Sequence, residues 1–237
     1  MVYLFRVLHH LYHWLLPAYC VLCGQISGRS LNVCLACEQD LPILTQACQQ
    51  CAAFLFSEQA KICGACLKDP PPFDKTFALF RYESPINHLI IYLKFHAQLH
   101  YAQALGELFV QGIQRCYQAE TLPDVIMPIP LHKTRLRERG FNQALEIARP
   151  IARSLNIPLD FLSVKRVKAT EAQSLLAADK RKQNMRNAFA SHHSYAGLSI
   201  AVIDDVMTTG HTLREFCQLL KKQGAARVDV WCCARRV

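Results

Sequence analysis

The stretch AVIDDVMTTGHTL, residues 201–213, decides the fold prediction, because an apolar run meets two adjacent aspartates and a threonine-rich loop. The segment LSIAVID, residues 198–204, has the apolar character of a buried strand, and TLREFCQLLKKQG, residues 212–224, has helical periodicity. These patterns predict a strand, a turn and a helix in that order. In a parallel sheet, ligands bind beyond the carboxyl ends of the strands, which is where this turn would lie.

The residues of the turn are those of a sugar phosphate site. The adjacent carboxylates of Asp204 and Asp205 repel each other, unless a ligand such as a ribose diol bonds to both. Gly210 lets the loop turn its amides inward, and the start of the helix adds a positive end, so a phosphate belongs there. The alternative is that Asp205 or Thr212 merely caps the helix. An ATPase interpretation fails because the sequence contains no Gly-Lys-Ser/Thr phosphate loop.

The rest of the chain predicts an α/β fold. Further strand patterns cover 73–83, 124–129 and 226–234, and helical patterns cover 84–95, 102–114 and 141–156. Alternating strands and helices indicate a parallel sheet flanked by helices. The run Asp69-Pro70-Pro71-Pro72 blocks both helix and central strand, so we place a boundary there. We expect a cysteine-rich module over 18–70 and an α/β domain over 73–237.

The first 17 residues form a separate expectation. They are rich in apolar residues, but Arg6, His9, His10 and His13 interrupt them, and no small-residue cleavage site follows. The segment is shorter than the roughly 18 apolar residues of a membrane span. We expect an amphipathic helix packed on the body of the protein and no signal peptide, with a partner or membrane-surface helix as the alternative.

Eight of the 12 cysteines fall into four Cys-x-x-Cys pairs. Two such turns supply the four thiolates of a tetrahedral zinc site, so four turns predict two structural zinc ions in a reducing cytosol. Redox-active dithiols are the weaker alternative, because they rarely occur four in a row. The simplest grouping joins the first two pairs and the last two, although an interleaved grouping has the same spacing. The predicted ligands are Cys20, Cys23, Cys34 and Cys37, and Cys48, Cys51, Cys63 and Cys66.

The positive charge of the chain is concentrated in one region. The formal net charge is +9, yet residues 1–70 hold four Lys/Arg and four Asp/Glu. Residues 131–190 hold thirteen Lys/Arg and five Asp/Glu. This distribution predicts a polyanionic partner or substrate for the α/β domain.

These motifs together carry a resemblance. IDDVMTTGHTL resembles the phosphoribosyl pyrophosphate signature of type I phosphoribosyltransferases. MPIPLHKTRLRERGFNQA, residues 127–144, the later Gln173, Arg181, Asn184 and Phe189, and the cysteine module resemble the ComF family from about residue 20 to residue 235. That family includes competence proteins and relatives linked to the use of DNA as a nutrient. His211 is a departure, since the family often has alanine there.

The resemblance implies roles by position. The catalytic aspartates would hold the ribose hydroxyls, the threonine loop would hold the 5-phosphate, and magnesium would accompany phosphoribosyl pyrophosphate. The implied substrate-binding residues are Ile203, Asp204, Asp205, Val206, Met207, Thr208, Thr209, Gly210, His211 and Thr212, with Asp204 and Asp205 as the catalytic pair. The implied pyrophosphate loop is Pro130, Leu131, His132, Lys133 and Arg135.

The basic region has two interpretations. From the residues alone it is a solvated basic face that also supplies pyrophosphate ligands. The resemblance favours contact with single-stranded DNA, which binds to cationic grooves with aromatic platforms. The residues expected to contact nucleic acid are Lys133, Arg135, Arg137, Arg139, Phe141, Lys165, Arg166 and Arg181.

Three functional hypotheses follow. The first is a cytoplasmic ComF-type competence protein that handles internalised single-stranded DNA in natural transformation or DNA utilisation and binds phosphoribosyl pyrophosphate. Competence or recombination proteins, and peripheral association with an inner-membrane DNA channel, belong to this hypothesis. The second is an active phosphoribosyltransferase with a nucleobase or nucleotide acceptor, although the sequence contains no clear hood element to hold a base. The third is a module that senses phosphoribosyl pyrophosphate without turnover.

Overall fold

A computed structural model of the chain describes residues 18–57, 59–169 and 187–236. The helix expected over residues 1–17 and the predicted DNA contact Arg181 lie outside these residues. The cysteine-rich part contains two short helices, α1 (Leu35–Gln39) and α2 (Gly64–Lys68). The rest of the described chain has the alternating strands and helices that the sequence predicts, together with a helix over Lys133–Arg139 and two-residue strands at Lys165–Arg166 and Phe189–Ala190 that it does not predict.

One parallel sheet organises the α/β part. The strands of the described chain are β1 (Lys75–Arg81), β2 (Val125–Pro128), β3 (Lys165–Arg166), β4 (Phe189–Ala190), β5 (Ser199–Met207) and β6 (Arg227–Arg235). Four of them form the sheet in the order β1-β6-β5-β2, and every neighbouring pair is parallel. A two-residue antiparallel pair, β3 with β4, stands apart from it.

Helices cover both faces of the sheet, as its apolar central strands require. On β5, Ala201 and Ile203 belong to one buried cluster, whereas Ile200 and Val202 belong to the other. This alternation is the period-two pattern of a strand that is buried on both sides. The helices of this part are α3 (Ile86–His96), α4 (His100–Cys116), α5 (Lys133–Arg139), α6 (Gln143–Leu155) and α7 (His211–Lys222). Helices α3, α4 and α6 supply buried residues to the first cluster, and α7 supplies them to the second.

Helices α4 and α6 approach each other closely enough to require a glycine. A β-carbon at Gly106 on α4 would lie 2.4 Å from the Cγ atom of Pro150 on α6. Helix α6 continues through Pro150, and its first turn is capped by Asn142, whose side chain accepts a hydrogen bond from the Ala144 amide. This close approach packs α6 against α4, and both helices contribute to the same buried cluster on one face of the sheet.

Candidate functional site

A cleft of about 370 Å³ lies at the carboxyl edge of the sheet. All four strands contribute to it, because Tyr82, Ile129 and Arg236 follow β1, β2 and β6, and the end of β5 forms its floor. This is the position at which open α/β sheets bind ligands. The cleft contains most of the loop with which the sequence analysis began.

The loop between β5 and α7 turns at a glycine immediately before the helix. Gly210 is the residue before α7 and has φ = 75°, a left-handed conformation that favours glycine. Thr208 and Thr209 are exposed in the cleft, and the Thr209 hydroxyl lies 3.3 Å from Nδ1 of His211. The 12-residue helix α7 begins here, so its unpaired amides and positive end face the loop.

The two aspartates leave opposite faces of β5, because the strand continues through both of them to Met207. Asp204 is partly exposed, and its Oδ1 accepts a 2.9 Å hydrogen bond from the Asp205 amide. Asp205 is 3% exposed, and its Oδ2 lies 2.7 Å from Nζ of Lys94 on α3. Asp204 is therefore the more open carboxylate, whereas Asp205 is held by a cation.

The electrostatics of the pair differ accordingly. Burial raises the pKa of Asp204 to about 7, and the neighbouring charge of Asp205 adds to this, against the opposing charge of Lys94. Burial by itself would lower the pKa of Lys94, but the charge and hydrogen bond of Asp205 more than offset it, so the pKa of Lys94 is raised. The raised pKa keeps Lys94 charged, so Asp205 retains a cation beside it.

The other predicted residues divide between the cleft and the surface. Leu131, Arg135, Arg139, Arg166 and the residues from Asp204 to Thr212 line the cleft. Ile203 is buried in the core, and Phe141 is half-buried against it. His132 caps α5 by accepting a hydrogen bond from the Thr134 amide. Pro130, His132 and Lys133 do not line the cleft, and Lys133, Arg137 and Lys165 are exposed outside it.

Two neighbours on α3 were missed by sequence reasoning. Lys94 and Phe95 both line the cleft, yet they lie in a segment that the sequence marks only as helical. A lysine near the end of an apolar helix is the one signal present, and it does not indicate which carboxylate it meets. Tertiary contact alone pairs Lys94 with Asp205, 111 residues along the chain.

The cysteines form two tetrads in the simpler of the two predicted groupings. One contains Cys20, Cys23, Cys34 and Cys37, the other Cys48, Cys51, Cys63 and Cys66, and within each all ligand sulfurs lie within 4.8 Å of one another. The sulfurs of Cys23 and Cys34 are 3.8 Å apart, and those of Cys51 and Cys63 are 3.6 Å apart. A tetrahedron with Zn–S bonds of 2.3 Å has an edge of about 3.8 Å, so both tetrads fit zinc.

One arginine connects the second tetrad to the loop between β5 and α7. Arg235, at the end of β6, donates from Nε to the carbonyl of Cys51 at 3.0 Å. Its Nη1 donates to the carbonyl of Met207 at 2.9 Å and also to that of Thr208. The backbone of a zinc ligand and the backbone of the loop therefore share one guanidinium, which couples their positions.

Comparison with known proteins agrees with this architecture. The family "Double zinc ribbon domain" matches residues 11–67, and "Phosphoribosyl transferase domain" matches residues 142–236. The DNA utilization protein YhgH of Salmonella typhimurium is 35% identical over 222 residues, which are 92% of this chain and 97% of that protein. The chain belongs to the ComF family of DNA utilization and competence proteins.

Other ComF relatives extend the match. Competence protein F of Haemophilus influenzae is 35% identical over 223 residues, covering 91% of this chain and 96% of its own. Competence protein ComFC of Bacillus subtilis is 26% identical over 200 residues, covering 82% of this chain and 80% of its own. These matches confirm the predicted family, the α/β fold and the zinc-ribbon module. Within the described residues, no helix has both the length and the apolar character that a membrane crossing demands.

Proposed function

We propose that this ComF-family protein is a cytoplasmic competence or DNA utilisation factor whose cleft binds phosphoribosyl pyrophosphate. One observation carries the proposal: a carboxylate pair, a threonine-glycine loop at a helix start and several arginines converge on one cleft. Asp204 offers acceptors for the sugar hydroxyls, and the loop from Thr208 to Thr212 offers donors for the 5-phosphate. Arg135 supplies positive charge for the pyrophosphate.

Magnesium fits the same residues. Mg²⁺ prefers carboxylate oxygens and substrate phosphates as ligands, and the cleft contains both Asp204 and Asp205. We propose that Asp204 is the residue that meets the metal or the sugar, because Asp205 is already bonded to Lys94. The metal would supply charge neutralisation for the pyrophosphate. Lys94 would keep Asp205 paired, and Arg139 would add a positive charge to the lining of the cleft.

Single-stranded DNA is the proposed polyanionic partner. Helix α5 exposes Lys133 and Arg137 on the surface, and its Arg135 and Arg139 line the cleft, so one helix carries basic side chains both inside and outside the cleft. The names of the relatives, DNA utilization protein and competence protein, support a partner of this kind. Phosphates along a strand would meet the outer residues while the cleft stays open to a sugar phosphate.

The test is calorimetric titration of the zinc-loaded chain with phosphoribosyl pyrophosphate and Mg²⁺. We expect binding to the wild-type protein and its loss in Asp204→Asn/Asp205→Asn, with an unchanged circular dichroism spectrum. Equal affinity in both proteins would refute the pocket. Pyrophosphate release, measured with and without DNA and with nucleobases, separates a binding role from the alternative of an active phosphoribosyltransferase.

A further inference from the structure

We infer that Phe95 and Arg139 form a subsite for a planar nucleobase at the rim of the cleft. The inference rests on the proposed function and extends it, because a sugar phosphate pocket accounts for two parts of a nucleotide and leaves the base unplaced. The sequence contains no clear hood element for a base, so the subsite has to be found in the structure. The ligand class is a nucleobase, carried either by a nucleotide or by single-stranded DNA.

Phe95 is an exposed aromatic ring at a ligand-binding edge. Its side chain is 70% exposed, although it lines the same cleft as the aspartates and the threonine loop. It directly follows Lys94, whose Nζ lies 2.7 Å from Asp205. A large ring left in water at this position has an apolar face available to a ligand that enters the cleft. Bases stack on such rings regardless of their identity, since every base has a π-face.

Arg139 places a second planar group over the Phe95 ring. Its guanidinium carbon lies 5.6 Å from the centre of the Phe95 ring. Its Nη1 donates a 2.6 Å hydrogen bond to Oε1 of Gln143, which is only 7% exposed. The guanidinium is therefore held in place before any ligand arrives. Bases in single-stranded nucleic acids stack on aromatic rings and on arginine planes alike, so Phe95 with the Arg139 guanidinium over its ring can hold a base, and we call this pair the platform.

The charge around the platform selects the class of occupant. Arg135 and Arg139 line the same cleft, and an apolar protein segment would desolvate these cations without pairing them. A nucleotide or a DNA strand supplies both phosphates for the cations and a flat ring for Phe95. Because the platform and the loop from Thr208 to Thr212 line the same cleft, the proposed base, sugar and phosphate sites share one opening.

The chain contains a matched control outside the cleft. Phe161 is 43% exposed, and the guanidinium carbon of Arg149 lies 5.9 Å from its ring centre. This pair has the same chemistry as Phe95 with Arg139, but neither Phe161 nor Arg149 lines the cleft. A general effect of removing an exposed phenylalanine beside an arginine would appear equally in Phe161→Ala.

The experiment compares a sugar phosphate without a base with two ligands that carry bases. The zinc-loaded full chain and its Phe95→Ala, Phe95→Tyr and Phe161→Ala variants are titrated with ribose 5-phosphate, with adenosine 5′-monophosphate and with fluorescein-labelled (dT)10. Stacking of one base predicts that the monophosphate binds roughly 5- to 140-fold more tightly than ribose 5-phosphate. We expect Phe95→Ala to abolish this ratio and leave ribose 5-phosphate binding unchanged, while Phe95→Tyr and Phe161→Ala keep the ratio.

The outcomes separate the subsite from the proposed function. Loss of affinity in Phe95→Ala for (dT)10 alone assigns the platform to single-stranded DNA, and loss for the monophosphate alone assigns it to a nucleotide. If ribose 5-phosphate binds, but neither base-bearing ligand distinguishes Phe95→Ala from Phe161→Ala, the subsite is wrong and the proposed pocket stands. If phosphoribosyl pyrophosphate with Mg²⁺ does not bind to the wild-type protein, the proposed pocket fails. The subsite is then decided by whether Phe95→Ala weakens (dT)10 binding more than Phe161→Ala does.

Discussion

Replacement of Lys94 by methionine tests the contact that most shapes the cleft. The variant keeps the length of the side chain and removes its charge, so it leaves Asp205 buried without a cation. In the wild-type protein Nζ of Lys94 lies 2.7 Å from Oδ2 of Asp205, and the two side chains are 21% and 4% exposed. Loss of Lys94 therefore removes a partner from a carboxylate that water scarcely reaches.

The expected loss of stability follows from this burial. Breaking a buried ion pair by removing one partner costs roughly 3–5 kcal/mol. Because about a fifth of the lysine side chain reaches water, we reduce this to about 2–4 kcal/mol for Lys94→Met. The double variant Lys94→Met/Asp205→Asn has no uncompensated charge, so it should recover a large part of that loss.

Urea denaturation followed by circular dichroism measures the free energy of unfolding of each variant. Lys221→Met is the matched control, because Nζ of Lys221 also lies 2.7 Å from an aspartate, Asp74, whose side chain is 46% exposed. Exposed pairs contribute roughly 0.2–1 kcal/mol, so the control should change stability little. Equal losses in Lys94→Met and Lys221→Met, or no recovery in the double variant, would show that burial of Asp205 does not govern this contact.

Four further predictions concern the proposed ligands. Because the raised pKa of Asp204, about 7, lies above the ordinary 3.8, its carboxyl group stabilises the fold in its protonated form, and that contribution is lost as pH rises from about 4 to 7. Affinity for magnesium phosphoribosyl pyrophosphate should rise over the same range and level off above it, and calorimetry of Asp204→Asn should show no such rise. Arg235→Met should destabilise the fold by about 1–3 kcal/mol and weaken phosphoribosyl pyrophosphate binding while metal analysis still finds zinc; unchanged binding would uncouple the tetrad from the loop. Metal analysis of the wild-type chain should find two zinc ions, and one or none would contradict the two tetrads. Charge reversal at Arg135, Arg137 and Arg139 should weaken single-strand binding and flatten its salt dependence, and an unaltered salt slope would remove the DNA role from α5.

Local patterns predict the elements because their causes are local. The apolar run before Asp204 is a strand because both of its faces are buried, and the segment after Gly210 is a helix because its apolar residues recur on one side. The Cys-x-x-Cys spacing predicts metal ligation for the same reason, since two thiolates come from one turn. The family resemblance then adds an expected ligand at the turn that the strand and helix patterns already indicate.

The aspartate pair marks the limit of that reasoning. Adjacency in sequence suggested two equivalent ligands, but strand geometry sends Asp204 and Asp205 to opposite faces of β5. Lys94 then forms an ion pair with Asp205, which leaves Asp204 as the open carboxylate. Similarly, the sequence offered Phe141 as an aromatic partner for the basic stretch, whereas the fold half-buries Phe141 and exposes Phe95 at the cleft.

The sequence by itself therefore determined the parallel α/β fold, the zinc-binding cysteines and the loop that faces the cleft. Each of these is indicated by a pattern of residues within a short stretch of the chain. Only the tertiary structure decided how the cysteines group, which cation meets Asp205 and which aromatic ring reaches the cleft. It also placed Arg235 on the carbonyl of Cys51, 184 residues earlier in the chain. Contacts between such distant residues depend on how helices and strands are packed, which no local pattern specifies.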